Sequence, residues 1–224
     1  MSRLLCFKFG IFLWIRWIVL AGLIWVIGCG EQFLAQEYVV FTENAYWLFD
    51  GNFAKIEIIE TIQGDSTEYT LRISDQNGKP VHARFLGYQG QIYLSKVNAS
   101  VFGYPDTRFD PPVAIFPHTN RTGDVEVMDA AEIRDWDAKN PIRVRVQVTV
   151  LQPLPITLAE MRIDDILRIR INYAYIDPNE LPFLAGESEW WFGKNIGLIR
   201  YRIGSTLYGE LVFSSTMAGF VVQQ

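Results

Sequence analysis

The chain has 224 residues, half of them apolar, with 20 Lys+Arg against 25 Asp+Glu and a net charge of −5. That length suits one domain, and the acidic balance argues against a whole-domain nucleic-acid binder, which is usually basic. Both cysteines, Cys6 and Cys29, fall in the first 30 residues, so the rest of the chain holds no disulfide and no thiolate metal site.

Residues 1–16 mix apolar residues with Arg3, Lys8 and Arg16, and residues 17–28 (WIVLAGLIWVIG) carry no charge. Without residues 1–28 and their three cations, 17 cations face 25 acids, or −8 on 196 residues. A positive start followed by a short apolar core is the pattern of a secretory signal. The uncharged core is short of the roughly 20 residues of a spanning helix. Counting from Phe9 across Arg16 reaches that length, so an uncleaved anchor stays open, as does plain secretion. Val26-Ile27-Gly28-Cys29 resembles a bacterial lipobox, with Gly28 at the small position and Ile27 where Ala or Ser is commoner. The resemblance implies that Cys29 is diacylated and becomes the new N-terminus. Two or three acyl chains anchor stably where one does not. Gly30, rather than Asp, follows the cysteine, which by the same resemblance favours the outer membrane of a diderm cell. The expected organisation is a lipoprotein signal over 1–28, a tether over 29–45 and a β-rich domain over 46–224.

In chain order, strand patterns are expected at 53–62, 67–74, 81–87 and 91–97, with turns at Asp75-Gln-Asn-Gly78 and Gly87-Tyr-Gln-Gly90. Further candidates are 113–116 and 124–128. The segment 129–138 reads as one short helix, because Asp129 and Glu132 have capping-box spacing. Residues 142–150 alternate apolar and polar without error, as do 167–175 and 199–203. Candidates at 156–163, 188–192 and 207–213 complete the set. Prolines cluster at 105–117 and 141–155 and read as connections. The predicted fold is mainly β: a single antiparallel curved sheet or open barrel with at most one or two short helices.

A search for chemistry finds no Gly-rich phosphate loop, no G-x-S-x-G and no H-E-x-x-H. His82 falls on the polar face of a strand, and His118 follows Pro117 in a loop without an evident partner. The acids Asp124, Glu126, Asp129, Glu132, Asp135 and Asp137 lack the internal glycine of a calcium loop and read as a solvated face. Asp164 and Asp165, adjacent on a strand, would point to opposite faces. The sequons at Asn98 and Asn120 carry no meaning in a bacterial lipoprotein. No cofactor and no metal are expected.

Two features stand out. Arg143, Arg145, Arg168, Arg170, Arg200 and Arg202 are the off-beat residues of the three alternating runs. In one sheet they would share a side, either broken up by acids from other strands or kept for an anionic surface. Trp190 and Trp191 precede a glycine-bounded turn and cannot both face a core, so one could line a cavity or groove.

The stretch Glu189-Trp190-Trp191-Phe192 with Gly197-Leu198-Ile199 and Tyr201 resembles a strand–turn–strand of poorly characterised bacterial exported lipoproteins with a β-rich domain. Asn195 stands where that element has its first glycine. Some of these proteins are similar to the open barrels of the lipoprotein carrier and its outer-membrane receptor, a likeness of fold alone. The expected function is a non-catalytic, membrane-anchored binding or interaction module of the envelope. Its partners would be the membrane through its N-terminal lipid and a lipid or envelope protein, with no nucleic acid. The alternatives are a carrier of lipid or apolar ligand on the concave face and a carboxylate-dependent envelope hydrolase. A carrier needs an apolar cavity of a few hundred Å³; a hydrolase needs two converging carboxylates.

Overall fold

Strict alternation places Val144, Val146, Val148 and Val150 on one side of a strand and Arg143, Arg145, Gln147 and Thr149 on the other. The computed structural model describes residues 37–98, 100, 106–158, 161–176, 186–204 and 207–214. There the alternation separates the inside from the outside of a closed antiparallel barrel. Its strands are β1 (Tyr46–Gly51), β2 (Phe53–Ile62), β3 (Thr67–Asp75), β4 (Pro80–Tyr88), β5 (Gln91–Asn98), β6 (Thr107–Ala114), β7 (Val125–Arg134), β8 (Ile142–Leu151), β11 (Ile166–Tyr175), β12 (Gly186–Gly193), β13 (Gly197–Ile203) and β14 (Leu207–Ser214). Two further strands, β9 (Ile156–Leu158) and β10 (Met161–Ile163), form a separate hairpin. Each barrel strand pairs with its sequence neighbours, and β14 closes the ring on β1 through Asp50↔Glu210 and Leu48↔Phe213.

The mainly β, antiparallel architecture is the expected one, and the ring is closed. Strand β1 lies outside the strand patterns expected from the sequence. The helix expected over 129–138 is a correction: 129–134 completes β7, and only Asp135–Asp137 turns, as a 3-10 helix. Cross-strand pairing decides it, since Asp129 lies opposite Arg145 and Glu132 opposite Ile142. Ala130 and Glu132 face inward at strand spacing, which a helix would not allow.

The core fills the ring. One cluster holds Trp47, Phe49, Ile56, Ile58, Ile199 and Tyr201, joined by Ile156, Leu158 and Ile163 of the hairpin. A second holds Phe109, Phe116, Val144, Val146, Val148 and Ile169. The outer surface is charged: Glu57 pairs with Lys55 and Arg72 at 2.6 and 2.5 Å, and Arg84 with Glu68 at 3.1 Å. A membrane-spanning barrel wears an apolar band outside, so this charged exterior makes the ring an aqueous one.

Because connections alternate between ends, the turns after β2, β4, β6, β8 and β12 share a rim with the start of β1. The chain enters at this N-terminal rim. Of the stretch read as a tether, residues 37–45 pack on the barrel: Tyr38 and Ala45 are buried, and Phe41 meets the rings of Tyr69 and Phe85. Tyr38 Oη donates to Asp165 Oδ1 at 2.5 Å, and the Asn195 N–H donates to the Glu37 carbonyl at 2.7 Å. Burial, then Asp165, pushes the Tyr38 phenol well above its ordinary range. Asn195 takes φ +59° at this turn, a left-handed conformation that asparagine tolerates better than most residues. Residues 1–28 and Cys29 lie outside the described residues.

Candidate functional site

The ladder between β6 and β7 stops at Asp110↔Ala131. The next two residues of β6 are Pro111 and Pro112, which have no N–H to donate, so pairing cannot continue. Beyond them Ala114 still pairs with Tyr93 of β5, while Met128 of β7 pairs with Val146 of β8. The two sheet halves part toward the N-terminal rim and leave a cavity of about 400 Å³. Its lining is Tyr93, Ala114, Val127, Met128, Val146 and Val148, with His118 and Glu126 as the polar members. The inward faces of β7 and β8 supply Glu126 and Met128 opposite Val148 and Val146.

His118 and Glu126 are locked together. The His118 backbone N–H donates to Glu126 Oε1 at 2.5 Å, and His118 Nδ1 lies 2.9 Å from Oε2. The histidine read as partnerless in its loop therefore has a carboxylate partner, and its side chain is 62% exposed. The carboxylate is drawn from the acidic run read as a solvated face. Glu126 and His118 thus put polar groups on the lining, while apolar side chains make most of the walls. Such a composition fits a ligand that is largely apolar with one polar end.

A second member of that acidic run is also a correction. Glu132 is wholly buried inside the barrel, near the opposite rim. It accepts from Tyr173 Oη at 2.6 Å, Tyr175 Oη at 2.9 Å and Arg134 Nε at 2.7 Å. A buried charge is tolerable when paired and hydrogen-bonded in this way. Burial, then Glu132, drives the Tyr173 phenol far above its ordinary range. The alternation of 167–175 already placed Tyr173 inside, and that was the signal for a buried polar partner.

The six arginines do lie on the outer side of one sheet, in two groups. In β11 and β13, Arg168 and Arg200 flank Trp191, while Arg170 and Arg202 flank Glu189. Glu189 is 1% exposed and accepts from Arg168 at 2.7 Å and Arg170 at 2.9 Å, with Arg202 3.0 Å away. Burial raises its pKa, but the hydrogen bonds from Arg168 and Arg170 outweigh it and hold the carboxyl below the usual range. Arg200 pairs with Glu210. On β8, Arg145 forms a two-toothed pair with Asp129 at 2.7 and 2.8 Å, and Arg143 is exposed on the same strand. Antiparallel pairing sets Arg145 opposite Ala174, far along β11 from Arg168 and Arg170. Acids from neighbouring strands thus engage Arg145, Arg168, Arg170, Arg200 and Arg202.

The tryptophans divide as their adjacency requires. Trp190 faces inward, 6.0 Å from the Tyr201 ring, and its Nε1 donates to Ser188 Oγ at 2.8 Å. Trp191 faces outward, yet is buried between the guanidinium groups of Arg168 and Arg200, 5.2 and 5.8 Å from its ring. Neither lines the cavity.

No protein-family model matches this sequence, and neither does any curated protein. Two solved structures are similar. One is a lipoprotein candidate of Parabacteroides distasonis, at 15% identity and TM-score 0.49, covering 80% of this chain and 99% of the other. The other is an exported-protein candidate with a YmcC-like fold from Bacteroides fragilis, at 11% identity and TM-score 0.47, with the same coverages. Neither likeness bears on what this chain binds.

Proposed function

We propose that this chain is a membrane-anchored envelope lipoprotein that binds a small, largely apolar ligand without making or breaking a bond in it. The observation that carries the reading is the cavity of about 400 Å³, apolar on its walls and polar at the His118–Glu126 pair. That volume is within the roughly 300–1,000 Å³ of small-molecule sites. The anchor is lipid on Cys29, argued from Val26-Ile27-Gly28-Cys29. Among the described residues that line the cavity, Glu126 is the one carboxylate, whereas carboxylate-dependent hydrolysis needs two.

The test is native mass spectrometry of protein purified in mild detergent, beside titration with a fluorescent fatty acid. Val146→Trp, which fills the cavity from β8, should lower the fatty-acid affinity at least tenfold while the circular dichroism is kept. Equal binding by the Val146→Trp chain, or none by the native one, refutes the reading.

A further inference from the structure

Among the described residues, seven large apolar side chains are exposed, and six of them belong to the N-terminal half of the barrel. Ile62 ends β2 and Tyr88 ends β4; Val125 begins β7, with Val127 close behind; Leu154 sits in the connection after β8; Ile59 is three residues from the end of β2. They are 36–57% exposed. The seventh, Trp136, stands at the opposite rim. The outer face elsewhere carries ion pairs such as Glu57 with Lys55 and Arg72, and one pair, Arg84–Glu68, lies beside Ile62. The apolar exposure among the described residues is one-sided, and apart from Val127, which lines the cavity, these side chains face away from the core.

The chain supplies an occupant for this rim. Residues 37–41 lie across it, and Glu37 follows Cys29 by eight residues, an extended reach of at most about 29 Å. Whether the anchor is lipid on Cys29 or the apolar run before it, the membrane attachment ends that close to this rim.

We infer that the N-terminal rim rests on the lipid bilayer, with Ile62, Tyr88, Val125, Val127 and Leu154 in the headgroup and upper acyl region. The cavity, lined by His118 and Glu126 among others, lies toward the same rim. The ligand is then an amphiphile taken from or given to the bilayer, entering without crossing water. This rests on the anchoring part of the proposed function.

The test uses full-length lipidated protein in phosphatidylcholine–phosphatidylglycerol vesicles, with single nitroxide labels on Ile62→Cys, Val125→Cys and Trp136→Cys. Flotation with the vesicles tests the anchor, and power saturation with oxygen against an aqueous nickel chelate tests the rim. Labels at 62 and 125 should favour oxygen at least threefold more than the label at 136. Leu154→Cys gives the same reading should a variant fail to fold. Protein that does not float overturns the anchoring and the rim with it. Protein that floats with equal accessibility at 62, 125 and 136 overturns the rim alone. Dipolar broadening between labels at 125 would show a second copy covering the rim, and overturns it too.

Discussion

Glu189→Gln isolates the charge at the centre of the arginine lattice while keeping its shape. The carboxylate is almost fully covered and holds three guanidinium groups, from Arg168, Arg170 and Arg202. Removing one member of a buried ion pair costs about 3–5 kcal/mol, because the remaining charge stays desolvated. Here the arginine side chains are 20%, 38% and 52% exposed, so water recovers part of that loss. The expected destabilisation is about 2–3 kcal/mol, and with a urea slope near 3 kcal/mol/M the midpoint falls by about 0.7–1 M. Urea unfolding followed by tryptophan fluorescence measures it. Glu187→Gln is the control: its side chain is half exposed and pairs with Arg170, so its loss costs under about 1 kcal/mol. Acid provides a second reading. Glu189 is held below the usual carboxyl range, so its contribution is present above about pH 4 and fades as pH falls through the lowered folded value. The gap between native chain and variant must close in that acid window. A midpoint change below about 0.2 M, or a gap that widens in acid, refutes the account of the lattice.

Three other outcomes follow from the same geometry. Gly209→Ala places a Cβ 2.3 Å from the ring of Tyr201, which is buried and accepts the Phe53 N–H at 2.7 Å; the loss is about 3 kcal/mol by thermal unfolding. Cys29→Ser abolishes incorporation of a fatty-acid analogue, and label that persists removes the lipobox reading. Replacing Arg143, Arg168 and Arg200 together with Gln leaves binding to anionic vesicles within about twofold, because acids already engage Arg168 and Arg200; a large salt-sensitive loss would restore the anionic-surface role.

The three error-free alternating runs were legible because one face of each strand is core and the other is water, and β8, β11 and β13 match them closely. Strand β1 is not legible in the sequence: Trp47 and Phe49 alternate over only six residues, too short a run to stand out. The side on which the arginines fall follows from alternation alone, whereas their grouping follows from register, which depends on the partner strand. Glu132 was misplaced because its partners Tyr173 and Tyr175 lie more than 40 positions away. The cavity was hidden for a similar reason. Pro111 and Pro112 were visible as a break, but what a break opens depends on which strand would have paired there.

The closure of β14 on β1 sets an order of events for making the protein. The seam joins Trp47 to Ser214, so the ring cannot shut until nearly the whole described chain is available. Pairings this distant in sequence are slow to find, since the loop entropy is lost before any contact forms. If the N-terminus is already held at a membrane, β1 waits near that surface and the last strand must travel back to it. Until then β1 offers an unpaired edge, the form of β-structure most open to association with another chain. The final hairpin therefore decides when this barrel is complete.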